Sequence, residues 1–313
     1  MAQLGRITRH IARTAALLAL PLAAACDLIM PVEPVLTPKA RPAVFARPAP
    51  KPPSEASQEL ARYYRTVLRD GQTRGLLRID GGGPDTPYTA DMLVRNFEQI
   101  AFFSEYDRGN QPLRRWSRPV RITAHFGDSV DPAIQTRDTN ALTGFAARLA
   151  RVTGHPISTG RAGANFHVFF VSEDDRPAAV AKMRRIEPLL DDATVQTVLN
   201  LDKTTYCIVL ALTEANDPST YIRAIALIRT EQPDLLRLSC IHEEVSQGLG
   251  LVNDSPYARP SIYNDDDEFA LLTSHDEKLL SMLYDPRLSN GMSAETARPI
   301  LRILAREAMG ADL

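Results

Sequence analysis

Cysteine is scarce, three residues in 313, which excludes a disulfide-dense miniprotein and any zinc module built on four cysteines. Neither sign of charge prevails. Lysine and arginine number 36 against 38 acidic residues, a formal net charge of −2, and no basic stretch is interleaved with aromatics, so nucleic acid is excluded as a partner. Long apolar runs are missing too: the longest, Ala15 to Ala25, is interrupted by Pro21 and is too short to span a bilayer as a stable helix. What remains, 44% hydrophobic and 24% charged residues, is ordinary globular composition with enough length for one large domain or two small ones.

Residues 1–25 read as an export signal, because Arg6, Arg9 and Arg13 precede that apolar run. The run ends Leu22-Ala23-Ala24-Ala25-Cys26, which resembles the bacterial lipobox, where small residues precede a cysteine that is diacylated and becomes the new first residue. The resemblance implies lipidation at Cys26. Removing residues 1–25 takes away three arginines and no acid, leaving a mature chain of net charge −5. Asp27 resembles the inner-membrane retention signal of enteric lipoproteins, so the expected location is periplasm-facing, on the inner membrane.

Proline, 23 residues in all, is concentrated after that cysteine. Pro31, Pro34, Pro38, Pro42, Pro48, Pro50, Pro52 and Pro53 deny helix and sheet their backbone donors and favour an extended polyproline tether over residues 26–57. At about 3.1 Å per residue such a segment holds a domain several nanometres from the lipid.

From residue 58 to 313 helical and strand periods alternate, and one α+β domain is expected. Leu60, Tyr63, Tyr64, Val67 and Leu68 mark one amphipathic helix, and Leu93, Phe97 and Ile100 another. Strands are expected at Val120–Phe126, Phe166–Val171, Tyr206–Leu212 and Ile222–Ile228. Helices are expected at Asn140–Val152, over the polar stretch Pro177–Asn200, and at Asp234–Leu251. Cys207 and Cys240, the pair left after Cys26, form a disulfide candidate in an exported chain, the other reading being two buried thiols.

His242-Glu243 invites the zinc-protease pattern HExxH, but that frame places Ser246 at the second histidine. One residue later, Glu243-Glu244-Val245-Ser246-Gln247-Gly248-Leu249-Gly250-Leu251-Val252-Asn253-Asp254 resembles the metzincin and matrixin-like pattern HExxHxxGxxHD. Its glycine and trailing aspartate are intact. The three metal-binding histidines are then replaced by Glu243, Gln247 and Asn253, and Glu244 takes the general-base position. Glu243 and Gln247 share one helix face, while Gly250 permits the turn that swings Asn253 back towards them. His242 points away and reads as structural.

Further on, Pro260-Ser261-Ile262-Tyr263-Asn264 resembles the Met-turn that floors the metal site in those peptidases, with Tyr263 where methionine is expected. Thr273 with Asp276 also reads as a helix cap opening their last helix. Cys240 to Leu288 resembles a family of proteobacterial lipoproteins of unknown function, with Tyr284-Asp285-Pro286-Arg287-Leu288 among its recurrent features. The resemblance implies a zincin-like mixed sheet with a long motif-bearing helix and a C-terminal helical subdomain.

Zinc at neutral pH prefers imidazole and thiolate, so one carboxylate and two carboxamides are expected not to hold it tightly. A hard cation such as calcium or magnesium matches them better. Glu243 and Glu244, adjacent on a helix, are expected not to face each other. The first functional reading is a non-catalytic binding or scaffold protein at the cell envelope, with envelope proteins or peptides as partners. A second is a peptidase-like hydrolase with an oxygen-ligand or metal-free site and Glu244 as base. In a third, the motif helix only satisfies buried polar contacts. Elsewhere, the acidic run Asn264–Glu268 reads as a solvated turn, Gly81–Gly83 as a loop, and His125 and His167 as sheet histidines. His275 is placed where a metzincin-like fold could bring it to the Glu243 and Gln247 cluster.

Overall fold

The structure is a computed structural model and describes residues 52–103, 111–188 and 190–310. The expected export signal, Cys26 and most of the expected tether lie outside the described residues. Two helices open the described chain. In α1 (Glu55–Thr73), Ser54 caps the first turn, so the expected tether boundary at residue 57 falls within the helix; α2 (Ala90–Phe102) is capped by Thr89. Then come β1 (Arg115–Trp116), β2 (Val120–Phe126), α3 (Pro132–Thr153), β3 (Ile157–Thr159) and β4 (Phe166–Val171). Next are α4 (Arg176–Ile186), α5 (Asp192–Leu199), β5 (Cys207–Glu214) and β6 (Asp217–Arg229). The described chain closes with α6 (Asp234–Gln247), α7 (Ser274–Leu283) and α8 (Ala294–Ala308).

The sheet is mixed. β3, β2, β4 and β6 run parallel, and β1 extends the β4 side of β6 at Thr220 and Tyr221. β5 runs antiparallel along β6, from Cys207 opposite Ile228 to Glu214 opposite Asp217, and among the described residues it is paired on one side only. β4 (Phe-His-Val-Phe-Phe-Val) is buried at every position, as expected of a central strand covered on both faces.

Strand alternation sorts the core into two layers. Ile122, Phe166, Val168, Phe170, Ala224 and Ile228 face α2, α3, α6, α7 and α8, while Phe169, Val171, Ile225 and Leu227 face α4 and α5. A smaller cluster around Tyr64, Leu77, Leu236 and Ala270 docks α1 against α6. The buried pair Arg237–Asp138, 3.0 Å apart, ties α6 to α3. Among the described residues, no helix is long and apolar enough to cross a membrane.

Candidate functional site: an acidic cleft beneath an edge strand

α6 turns Leu236, Cys240, Ile241 and Val245 into the core, which leaves Glu243 and Gln247, four residues apart, on the opposite side. Its end is held from three directions. Trp116 Nε1 donates to the Gly248 carbonyl at 2.8 Å, Tyr284 Oη donates to that of Leu249 at 2.9 Å, and the Gly250 N–H donates to that of Gln247 at 2.9 Å. Gly250 takes φ +129, and a Cβ there would lie 2.3 Å from the Arg114 carbonyl oxygen, so only glycine makes this turn against β1. Arg115 in turn donates to the carbonyls of Leu283, Asp285 (3.2 Å) and Leu288 (2.6 Å), fixing the Tyr284–Leu288 segment behind the helix end.

The turn does not deliver Asn253. Its Nδ2 donates to the carbonyls of Gln99, at 3.0 Å, and Asp254, at 2.8 Å, and its N–H donates to that of Ile100, so the side chain is taken up by the end of α2. Asp254 points back instead. It accepts a hydrogen bond from Gln247 Nε2 at 3.2 Å and lines the cleft with Glu243, Glu244 and Gln247. The intact aspartate at the end of the HExxHxxGxxHD-like frame was the sequence signal for this residue.

The cleft, about 700 Å³, runs between α6 and the unpaired side of β5. Arg114 is the cation in a lining that also carries Asp191, Glu243, Glu244, Asp254, Asp265 and Asp267. The acidic run is an exposed turn at Asp265, Asp266 and Asp267, as expected; two of these carboxylates border the cleft, and Glu268 accepts from Arg259 Nη2 at 2.8 Å and from Arg78 Nη1 at 3.1 Å. Partial desolvation raises the carboxyl of Asp267, an exposed residue, above its ordinary value, with Asp266 and Asp265 adding to the effect.

Glu243 and Glu244 bring their carboxylates to the same part of the cleft, nearer than their adjacency on the helix suggests. A carboxylate oxygen of each and Sγ of Cys207 all lie within 4.8 Å of one another. Backbone direction separates neighbouring helix positions, but a glutamate side chain has three torsions with which to curl round the helix surface. Cys207 on β5 forms a disulfide with Cys240 on α6, so the bridge joins the strand and helix that wall the cleft, beside the two carboxylates.

Tyr263 is fully buried in the Ser-Ile-Tyr turn. Burial, reinforced by the carboxylate of Asp276 and then by Glu243 and Asp254 and opposed by the Ser246 hydroxyl, holds its phenol well above the ordinary value. Asp276 fixes that turn by accepting from Ser261 Oγ (2.6 Å), the Ile262 N–H (3.1 Å) and the Thr273 N–H (3.0 Å), the last as half of the α7 capping box.

The histidines lie elsewhere. His242 stacks on Phe145 with ring centroids 4.0 Å apart, and its Nδ1 accepts the Leu272 N–H at 3.1 Å. Burial, with Arg148 nearby, pushes it down to about 3, so it is neutral at ordinary pH. His275 is buried, Nε2 lying 3.0 Å from Asn96 Nδ2 and Nδ1 3.3 Å from Asp276, and it does not reach the Glu243 and Gln247 cluster. His125 and His167 hydrogen-bond to each other across β2 and β4 at 3.0 Å, each pushed by burial down to about 4. The cleft thus offers carboxylates and the carboxamides of Gln247 and Asn264 around a disulfide, with no imidazole among its lining residues. A histidine-held zinc does not fit this donor set.

No curated protein matches the chain, and no solved structure does. A family model described as "Protein of unknown function (DUF2927)" matches residues 90–303, from the start of α2 into α8 and including every residue of the cleft, and the chain belongs to that family.

Proposed function

We propose that the protein is an envelope lipoprotein, held through Cys26 and its proline-rich tether, whose globular part is zincin-like with the metal-binding histidines replaced. In this reading the cleft binds an extended polypeptide segment without cleaving it. The observation that carries it is β5, an edge strand unpaired along a cleft whose opposite wall is Glu243, Glu244 and Gln247. An edge strand offers backbone donors and acceptors at β spacing, so an incoming segment gains affinity by strand addition and specificity from the wall it faces. That wall is acidic, which favours lysine- and arginine-bearing segments. The antiparallel strand at the sheet edge, the glycine-terminated motif helix and the Ser261–Tyr263 turn supported by Asp276 favour the zincin-like reading.

Fluorescence anisotropy with labelled peptides of ten to twelve residues tests the binding. A cationic peptide is expected to bind at least tenfold more tightly than its anionic counterpart, and Glu243→Lys is expected to remove that preference. N-methylation at alternate residues of the peptide should abolish binding. Equal affinity for both charges, or indifference to N-methylation, contradicts the proposal.

The Glu243 and Glu244 oxygens, within 4.8 Å, favour one further reading. Two neighbouring carboxyl groups can supply an acid and a base for metal-free water attack on an amide, with Glu244 as base. Mass spectrometry of peptides incubated with the protein would then show cleavage that Glu244→Gln reduces at least 100-fold. Intact peptides after long incubation leave the binding role.

A further inference from the structure

The disulfide occupies a peculiar position for a purely structural bridge, because it lies against two carboxylates at the wall of an open cleft. We propose that its reduction creates a metal site: the sulfurs of Cys207 and Cys240, with one oxygen each from Glu243 and Glu244, form a four-donor set for zinc. Three of the four donor atoms are already gathered, and the fourth, Cys240 Sγ, is buried beside them with the Gln232 side-chain amide 3.6–3.7 Å away. Cys207 Sγ and the two carboxylate oxygens lie within 4.8 Å of one another, and Cys240 Sγ is bonded to Cys207 Sγ. Tetrahedral zinc, with Zn–S about 2.3 Å and Zn–O about 2.0–2.2 Å, needs donors roughly 3.3–3.8 Å apart. Parting of the two sulfurs on reduction, a turn of the Cys240 side chain away from Gln232 and rotation of the two glutamate side chains are the movements that close the set. None of the nitrogen donors of a zinc peptidase is involved.

The gate is chemical. In the disulfide both sulfurs are neutral and shared with each other, so the oxidised cleft presents two carboxylates and no thiolate. Cys207 is half-buried and lines the cleft, whereas Cys240 is buried. A dithiol reductant therefore attacks Cys207 Sγ as its thiolate, the Cys207–Cys240 bond breaks, and Cys240 leaves as thiolate and takes up a proton. The second thiol of the reductant then resolves the mixed disulfide, releasing Cys207 as a thiol and the reductant as its cyclic disulfide. Two electrons pass from the dithiol to the protein. Zinc binding expels the two thiol protons and leaves two thiolates and two carboxylates on one dication. Without the ion, thiolates beside Glu243 and Glu244 are disfavoured by like charge, so reduction and metal binding promote each other.

The test uses the full chain carrying Cys26→Ser, which leaves Cys207 and Cys240 as its thiols, and zinc or cobalt alone as probe. After reduction with a dithiol and its removal under anaerobic conditions, equilibrium dialysis should find one zinc per chain, and cobalt should give a thiolate charge-transfer band. The oxidised protein should show neither. Glu243→Gln and Glu244→Gln should each weaken binding by at least tenfold. In a dithiol/disulfide buffer, zinc at ten times its Kd should raise the ratio of reduced to oxidised protein by about tenfold. Equal zinc binding by oxidised protein, binding indifferent to both glutamine substitutions, or a reduced chain that loses its circular-dichroism signature and does not recover it with zinc would each overturn the proposal.

Discussion

Glu243 and Glu244 set the chemistry of the cleft, and neighbouring residues modulate it without contributing imidazole. His242, the residue that first suggests a zinc peptidase, serves as a hydrogen-bond acceptor for Leu272 and a stacking partner for Phe145. Its folded-state value of about 3, and those of His125 and His167 at about 4, lie below the 6.5 of an unfolded histidine. Such groups bind protons more readily in the unfolded chain, so the stability they provide is complete above pH 6.5 and is lost as pH falls through 6.5 towards 4 and then 3. Urea midpoints measured from pH 7.5 to 4 should therefore fall steadily below pH 6.5. In His242→Gln, which keeps an acceptor for Leu272 and removes one titrating group, the fall should be shallower. An unchanged slope would mean that His242 does not titrate differently on folding.

At the scale of elements, the ending of α6 and the edge placement of β5 make the cleft. The Gly250 turn admits no side chain against the Arg114 carbonyl, and Gly250→Ala is expected to cost about 2–4 kcal/mol, read as a lower denaturation midpoint. The disulfide joins these same two elements across a sequence separation of 33. Cys207→Ser with Cys240→Ser should destabilise by about 3–4 kcal/mol in the chain-entropy account.

The amphipathic helices and apolar strands were legible in the sequence because their residues repeat with the period of the element. Leu93, Phe97 and Ile100 lie in α2, and Phe166 to Val171 is β4 to the residue. What was not legible has physical causes. α3 begins at Pro132 rather than near Asn140, since its first turns are polar and are started by the Asp131 cap instead of by burial. The stretch from Pro177 to Asn200 divides into α4 and α5 around Glu187 and Pro188. At the site, spacing placed Glu243 and Gln247 together, but the sequence has no means of showing that Asn253 is captured by the end of α2, leaving Asp254 to reach the cleft.

For the whole molecule, the cleft lies within the segment shared with the family, whereas α1 and everything before it lie outside residues 90–303. The proposed anchor and the proposed binding cleft are thus separable along the chain. Cys26→Ser in an exporting bacterial host is expected to move the protein from the membrane fraction to the soluble periplasmic fraction while leaving peptide affinity unchanged. Retention of the variant on membranes would remove the lipid anchor from the proposal without touching the cleft.

Strand addition at β5 is tested most directly by hydrogen–deuterium exchange of the full chain with and without a saturating cationic peptide. Slowed exchange concentrated in Cys207–Glu214, with a smaller effect at the end of α6, is the expected result. A peptide that binds while β5 exchanges at its original rate contradicts the account.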